Sequence, residues 1–355
     1  MSSFMISEPP ASPGRRKILK SASGLAAAGI LFGGAGWFVA QRKNNLFEVR
    51  REQTLMQTSV SITCLTADAA QAGAAIRHAF ERMADTVALL TRFEPGSPLA
   101  RLNRDGYLDK PPADLHHVLQ RSLAISAATE GCFDISVLPV LSYLETRRQP
   151  AVLTPDDRLR IAEKDRLIDY RRIQADKHRI QFTRPGMSVT LDGLAKGYVI
   201  DQGIAALRAA GVEDALIDAG GDLRAISGTK SRRLWHVGIV DPNHVNKIAA
   251  VTGIRDMALG TSGDYRVFYS ADRSLFHVIN PHTGYSPLNY SSITVTAPLS
   301  IDADAMSVAA ASMPLIDLRD TLARQNHQWL VFSRDGSQRW RSADFPLHTG
   351  QAQVI

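Results

Sequence analysis

Residues 190–201 read TLDGLAKGYVID. The run MSVTL (187–191) leads into this stretch as a strand, and Ile200, Ile204 and Leu207 follow it on one helical face, with Gly211 placed as the C-terminal stop. A strand therefore turns into a helix here, and the turn carries Lys196 between Ala195 and Gly197. Two readings fit an Ala-Lys-Gly at such a junction. One is an exposed lysine at a purely structural turn. The other is a phosphate-binding turn, in which backbone N–H groups at a helix start and one fixed positive charge face an anion.

Working outward, the alternating run SVSITCL (59–65) reads as a strand. Thr66 precedes a helix whose apolar positions Ile76, Phe80, Met83, Val87 and Leu90 step by four and three. The segment 92–106 is turn-rich, a second helix is expected around 114–129, and 141–188 reads as a polar, helix-containing connection. DALIDAGGD, WHVGIVDP, SITVTAP and HQWLVFS read as strands with turns. This is an α+β pattern without repeats, and no interdomain linker is visible after residue 50.

The 355 residues suffice for one large domain or two modest ones, and 45% apolar with 21% charged residues is the balance of a folded soluble protein. The net charge of +6 is concentrated at the N-terminus. Residues 1–45 hold Arg15, Arg16, Lys17, Lys20, Arg42 and Lys43 against Glu8, so five of the six net charges lie there and one remains for the rest. A near-neutral body carries no basic footprint, and no nucleic acid is expected as a partner. Two cysteines, Cys64 and Cys132, are too few for a disulfide framework or a thiolate metal site. Cys64 reads as a core residue of its strand, and the spacing favours no disulfide.

The basic N-terminus has its own reading. GRRKILK (14–20) followed by SASGLAAAGILFGGAGWFVA (21–40) is a twin-arginine pair before a moderately apolar, Gly/Ala-rich stretch, the pattern of a Tat export signal; the other reading is a membrane anchor. No clean A-x-A precedes Gln41-Arg42-Lys43, and an uncut stretch of this length would span a bilayer. The expectation is a Tat-type signal or anchor over 1–45, delivery by the Tat translocase, and a body in the periplasm, tethered to the inner membrane if the leader stays uncut.

Several small constellations carry chemistry. DAGGDLRA (218–225) sets two glycines at a strand end beside Asp222, and TSGDYR (261–266) is a small-residue turn with hydroxyls and an acid. FHVINPHTG (276–284) places His277 before a strand and His282 in a Pro/Gly turn; IDADAMS (301–307) places Asp302 and Asp304 at a helix start. Taken singly these are turns, packing motifs and caps.

In order they form a series: Met56-Gln57-Thr58, TRFEPGSPLARLN (91–103), GCFD (131–134), LDGLAKGYVID (191–201), DAGGD, W-x-V-G-I-x-D-P (235–242), TSGDY, H-x-I-x-P-x-T-G (277–284) and ADAMS (303–307). Over about residues 50–335 this series resembles the ApbE family, the FAD:protein FMN transferases, and the leader is similar to that of periplasmic NosX-type members associated with nitrous oxide respiration. The resemblance implies an ApbE-like single catalytic domain over 46–345, of mixed, mostly antiparallel sheets with interspersed helices, and a C-terminal tail over 346–355. It implies cleavage of FAD, release of AMP and attachment of FMN by a phosphoester bond to a Thr or Ser of a periplasmic or membrane-bound flavoprotein, with Mg2+. Met56, Phe93, Cys132, Phe133, Asp134 and Lys196 match FAD-contacting positions. The Mg2+ site maps to Gly193, Asp304, Ser307 and the side chain at 308. His277 and Asp264 are the candidates for proton transfer or acceptor positioning.

Two positions depart from the pattern. Thr190 stands where an acidic FAD contact is expected, and Val308 replaces a threonine that ligates the metal, a loss that a water or Asp192 would make good. These departures keep open a second expectation, an FAD-binding accessory protein or flavin carrier without turnover, and a third, a metal-dependent FAD pyrophosphatase whose transfer fails at the acceptor step.

Overall fold

The computed structural model describes residues 38–43, 46–147, 153–350 and 352–354. Among these residues ten strands make the main sheet: β1 (Phe38–Lys43), β2 (Leu46–Leu55), β3 (Thr58–Thr66), β4 (Asp214–Ala219), β5 (Asp222–Ile226), β6 (Ala258–Gly263), β7 (Tyr290–Ala297), β8 (Gln328–Ser333), β9 (Arg339–Arg341) and β10 (Gln353–Val354). They lie side by side in chain order, every neighbouring pair antiparallel except β9 with β10. Two small antiparallel sheets, 107–109 with 179–182 and 173–175, and 347–349 with 244–254 and 235–241, complete the strands. The expected α+β fold of mostly antiparallel sheets is what is observed.

Among the described residues eight α-helices intersperse the strands: α1 (Ala69–Leu90), α2 (Pro98–Asp105), α3 (Ala113–Ala128), α4 (Leu138–Thr146), α5 (Pro155–Asp165), α6 (Ala195–Ala209), α7 (Ser300–Ala311) and α8 (Leu315–Arg324). Asp68 starts α1 by accepting hydrogen bonds from the Ala70 and Gln71 N–H groups, satisfying two of the four donors a helix start leaves open. One face of α1 (Ile76, Ala79, Met83) meets Ile200, Ile204 and Leu207 of α6, and both pack on Val60, Ile62, Cys64 and Ile217 of the sheet. Each such fully buried aliphatic side chain contributes about 2 kcal/mol of transfer free energy. β7 is buried along its whole length, with α7 packed against it.

Four sequence expectations change. MSVTL is extended and buried but joins no sheet: the Asn103 side chain takes the place of a partner strand, accepting from the Val189 N–H (2.7 Å) and donating to the Val189 carbonyl (2.8 Å), while the Thr190 N–H donates to the Ile135 carbonyl. The turn-rich segment 92–106 contains α2, because Ser97 caps it and Pro98 opens it at the position where a missing N–H costs nothing. Within the expected C-terminal tail, residues 347–349 pair with 251–252 and β10 pairs with β9. Phe38–Lys43, assigned to the leader, pairs with β2, whereas residues 1–37 lie outside the described residues. Among the described residues no helix is long and apolar enough to cross a membrane. Cys64 is a buried core residue and both cysteines are free.

Helices α6 and α7 meet at their N-termini, and neither has a side-chain cap of its own. Each caps the other. Asp201 of α6 accepts from the Ser300 and Ile301 N–H groups (2.9 and 3.0 Å) at the start of α7, and Asp304 of α7 accepts from the Gly197 N–H (3.0 Å) at the start of α6. Contact this close requires glycine at 197, where a Cβ would lie 2.7 Å from the Ile301 Cα and closer still to the Ser300 carbonyl. Gly197→Ala is therefore expected to cost about 3 kcal/mol, as overpacking against an immovable backbone does. Urea denaturation measures it; an unchanged midpoint would mean the helices do not touch there.

Candidate active site

The pocket opens beside this paired helix start. It is lined by the extended segment before α6 (Thr190, Asp192, Gly193), by Lys196, by the GCFD segment, by Asp222 of β5, by Thr261 and Ser262 of β6, by His277, and by Asp304 and Val308 of α7. Of the residues singled out in the sequence, Cys132, Phe133, Asp134, Gly193, Lys196, His277 and Asp304 converge on it. Ser307 sits behind the wall, fully buried, its hydroxyl 2.7 Å from that of Ser262 and donating to the Asp304 carbonyl. Three further residues do not line it either. Met56 occupies a tight β2–β3 turn in left-handed geometry (φ 51°) and packs on the α1–α6 core. Phe93 is exposed, with the Arg92 guanidinium 4.2 Å from its ring centre. Asp264 is buried and ion-paired to Arg334 (3.2 Å) and Arg273 (3.7 Å); burial pushes its pKa up and the two arginines offset part of that.

The centre of the pocket is a charged cluster. The Lys196 ammonium is 2.5 Å from Asp222 Oδ2, and Asp222 Oδ1 accepts from the Thr261 N–H (2.8 Å). Burial opposes the lysine's charge, but the carboxylates of Asp222 and Asp304 outweigh it and hold its pKa above the ordinary value. Asp304 moves the other way: burial, reinforced by the charge of Asp222 and only partly offset by Lys196, pushes it up to about 7. Three of the first four helix-start donors are committed too, Ala195 to Leu191, Gly197 to Asp304 and Tyr198 to Leu194. The turn is therefore not an open phosphate cradle with a free lysine; the neighbouring helix has taken the place such an anion would occupy.

His277 faces the cluster differently. Its Nδ1 lies 3.0 Å from the Val267 carbonyl. A carbonyl only accepts, so Nδ1 carries the proton and Nε2 keeps a free lone pair. Burial, with some repulsion from Lys196, lowers its pKa below the usual histidine value. The strand expected after it is absent; residues 277–279 form an irregular segment, and the next strand is β7. Asp134 also differs from expectation, because its carboxylate is fully used inside the protein, accepting from the Ser136 N–H and hydroxyl and from the Tyr170 N–H. Cys132 Sγ lies 3.7 Å from His282 Nε2, and burial raises its thiol pKa.

The two departures are now placed. Thr190 uses its hydroxyl to accept from the Asp192 N–H (3.1 Å). Val308 methyls would lie 3.3 and 3.6 Å from a Cβ on Gly193, so hydrocarbon covers that side of Gly193. Asp192 does not replace the lost hydroxyl, because Arg92 Nε holds its Oδ2 at 2.9 Å, and Arg92 is anchored in turn by Glu145. The oxygens that remain, the carboxylates of Asp304 and Asp222 and the carbonyl of Gly193, are hard donors suited to Mg2+ with retained waters. Among the described residues no group of three or more His, Cys, Asp or Glu forms a softer metal cage.

A sequence model of the ApbE family matches residues 56–331. The chain belongs to the ApbE family. Similar proteins include an FAD:protein FMN transferase of Haemophilus influenzae, 29% identical over 63% of this chain and 68% of that one, and one of Treponema pallidum, 28% identical over 68% and 72%. Among solved structures, the ApbE protein of Thermotoga maritima superposes with a TM-score of 0.73 at 22% identity, covering 84% of this chain and 97% of that one. The flavin transferase ApbE of Vibrio cholerae gives 0.71 at 20% identity, covering 84% and 98%. These structures share the ApbE fold.

Sequence reasoning quoted Asp222 and Asp201 within motifs without assigning them a role. Asp222 had a usable signal, an acid directly after two glycines at a strand end. Asp201 had a subtler one, an acid on the apolar face of its helix. Asp222 is 2% exposed on its side chain, so Lys196→Met leaves two buried carboxylates facing each other. The expected loss is about 2 kcal/mol, most of it recovered in Lys196→Met/Asp222→Asn. Thermal unfolding of both variants and the parent measures this coupling; additive losses would show that the ion pair is not the cause.

Proposed function

We propose that this ApbE-family chain is an FAD:protein FMN transferase. The observation that carries the reading is the pocket itself, lined together by Lys196, Asp222, Asp304 and His277, whose Nδ1 is held by the Val267 carbonyl so that Nε2 keeps its lone pair. The reaction forms a bond between an acceptor Thr or Ser oxygen and the FMN phosphorus and breaks the diphosphate bridge, so that AMP leaves. The hydroxyl proton goes to His277 Nε2. Lys196 holds Asp222 and Asp304 in place, and Phe133 and Gly193 give the flavin half a largely apolar wall. Mg2+, when bound at Asp304 and the Gly193 carbonyl, supplies neutralisation of phosphoryl charge.

The acceptor is a flavoprotein domain with an exposed Thr or Ser. The twin-arginine leader supports export by the Tat translocase, a periplasmic site of action and a redox partner there or in the inner membrane; a role in nitrous oxide respiration follows only from the NosX-type resemblance. A second reading, a flavin carrier without turnover, is favoured by Val308 and Thr190.

Incubating the chain with FAD, Mg2+ and an acceptor domain separates them. The transferase gives AMP and a covalently fluorescent acceptor on a denaturing gel; AMP alone indicates hydrolysis, and bound FAD with neither product indicates the carrier. His277→Ala is expected to lower turnover about a hundredfold with FAD affinity unchanged. Because protonation removes the base, the acid limb of the parent's pH–rate profile should lie below about 6.5. Calorimetry of Mg2+ binding tests the metal residues independently of turnover. Asp304→Asn should abolish the binding heat and Val308→Thr tighten the affinity about tenfold, whereas equal affinities in all three would remove this site.

A further inference from the structure

Among the protein's own groups, the charge balance at the pocket wall leaves the substrate's diphosphate without a cation to meet it when no metal is bound. Among the described residues Lys196 is the one cation within ion-pair distance of Asp222, and Asp304 acts on the same lysine, so the three groups together are negative when ionised. At the start of α6 the N–H groups of Ala195, Gly197 and Tyr198 are taken as well. A dianionic diphosphate brought to this wall meets net repulsion unless another cation stands nearby.

Such a cation lies at the end of TSGDYR. Arg266 is exposed, and its guanidinium rests against the Gly220–Gly221 turn, immediately before Asp222. A Cβ on Gly221 would sit 3.2 Å from Arg266 Nη2, and one on Gly220 would sit 3.8 Å from Nη1. Both glycines have positive φ, +73° and +114°, so a side chain at either position is strained and, at 221, also crowds the arginine. Among the described residues Arg266 makes no ion pair; it lies against this turn, with the Tyr265 ring 5.9 Å away. Among the charges acting on Lys196, after burial and the two carboxylates, Arg266 is the one that opposes its protonation, which places the guanidinium within Coulomb reach of the cluster.

We propose that Arg266, seated on the Gly220–Gly221 turn, binds the diphosphate of the flavin dinucleotide, the position that Lys196 was expected to fill. The inference rests on the transferase reading and adds to it the residue that separates a dinucleotide from a bare flavin. Its planar fork matches two phosphate oxygens, and it holds no carboxylate that a ligand would have to displace. The double glycine then has a reason beyond the turn: it provides a side-chain-free ledge for the guanidinium at the turn that leads into Asp222.

The test is equilibrium binding of FAD and of riboflavin to the full chain in metal-free buffer, followed by flavin fluorescence, for the parent, Arg266→Ala and Arg266→Lys. Arg266→Ala should weaken FAD about tenfold, as loss of one charge-assisted contact does, and leave riboflavin unchanged. Arg266→Lys should keep part of the affinity, and the salt dependence of FAD binding should be shallower in the alanine variant. Thermal melts matching the parent's show that each variant is folded. FAD affinity within twofold of the parent's overturns the assignment of Arg266 and leaves the transferase reading standing. An equal fall for riboflavin also overturns it, because that marks a general effect on the pocket. A parent that binds neither ligand overturns both.

Discussion

The structure depends on two helix starts being brought face to face. Each carries a partial positive charge of about half a proton from its unsatisfied N–H groups, and the two repel. Asp201 and Asp304 resolve this by crossing over, each helix sending a carboxylate into the other's first turn. Arg224 donates to Asp201 at 2.6 Å, and Lys196 balances Asp222 beside Asp304. The pocket wall is thus a by-product of helix capping: Lys196 and Asp304 cannot move apart without uncapping a helix. A site held this way is pre-organised by the same hydrogen bonds that hold the core.

The same economy explains why the departures at 190 and 308 leave the fold intact. Thr190 retains a capping hydrogen bond to the chain two residues on, and Val308 fills space against Gly193 with hydrocarbon. What changes is the number of oxygens the wall offers, not its shape. Asp192 stays with Arg92, and the Arg92–Glu145 pair ties that rim to α4.

The legible part of the sequence was whatever obeys periodicity or local chemistry. The steps of α1, the alternation of β3 and the stop at Gly211, which follows α6 with φ +80°, were all readable. The ordered motifs brought seven site residues to one pocket. What was not legible depends on partners far along the chain. MSVTL looks like a strand because its residues suit extended backbone, but only Asn103, from α2, determines that no strand pairs with it. Lys196 looked free because Asp222 lies beyond the helix that follows it. Asp134 looked available because Tyr170, whose N–H it holds, lies in a different segment. Asp264 sits in the right motif, but Arg273 and Arg334 draw it away from the pocket.

The chain-order sheet has one seam. β3 ends at Thr66 and β4 begins at Asp214, and residues 67–213 leave and return between them. Closing a loop of that length costs about 4 kcal/mol of chain entropy, roughly 1.4 kcal/mol more than each of the connections 227–257, 264–289 and 298–327 that join β5 to β8. The pocket draws its two sides from opposite sides of this seam: the GCFD segment, Thr190, Gly193 and Lys196 from the excursion, and Asp222, His277 and Asp304 from the strands and helix that follow. A hairpin of β2 and β3 and a meander of β5 to β8 would each hold their own hydrogen bonds with the seam still open. Such a molecule would have most of its sheet and no cavity, so flavin binding would report the last step of assembly rather than the presence of structure.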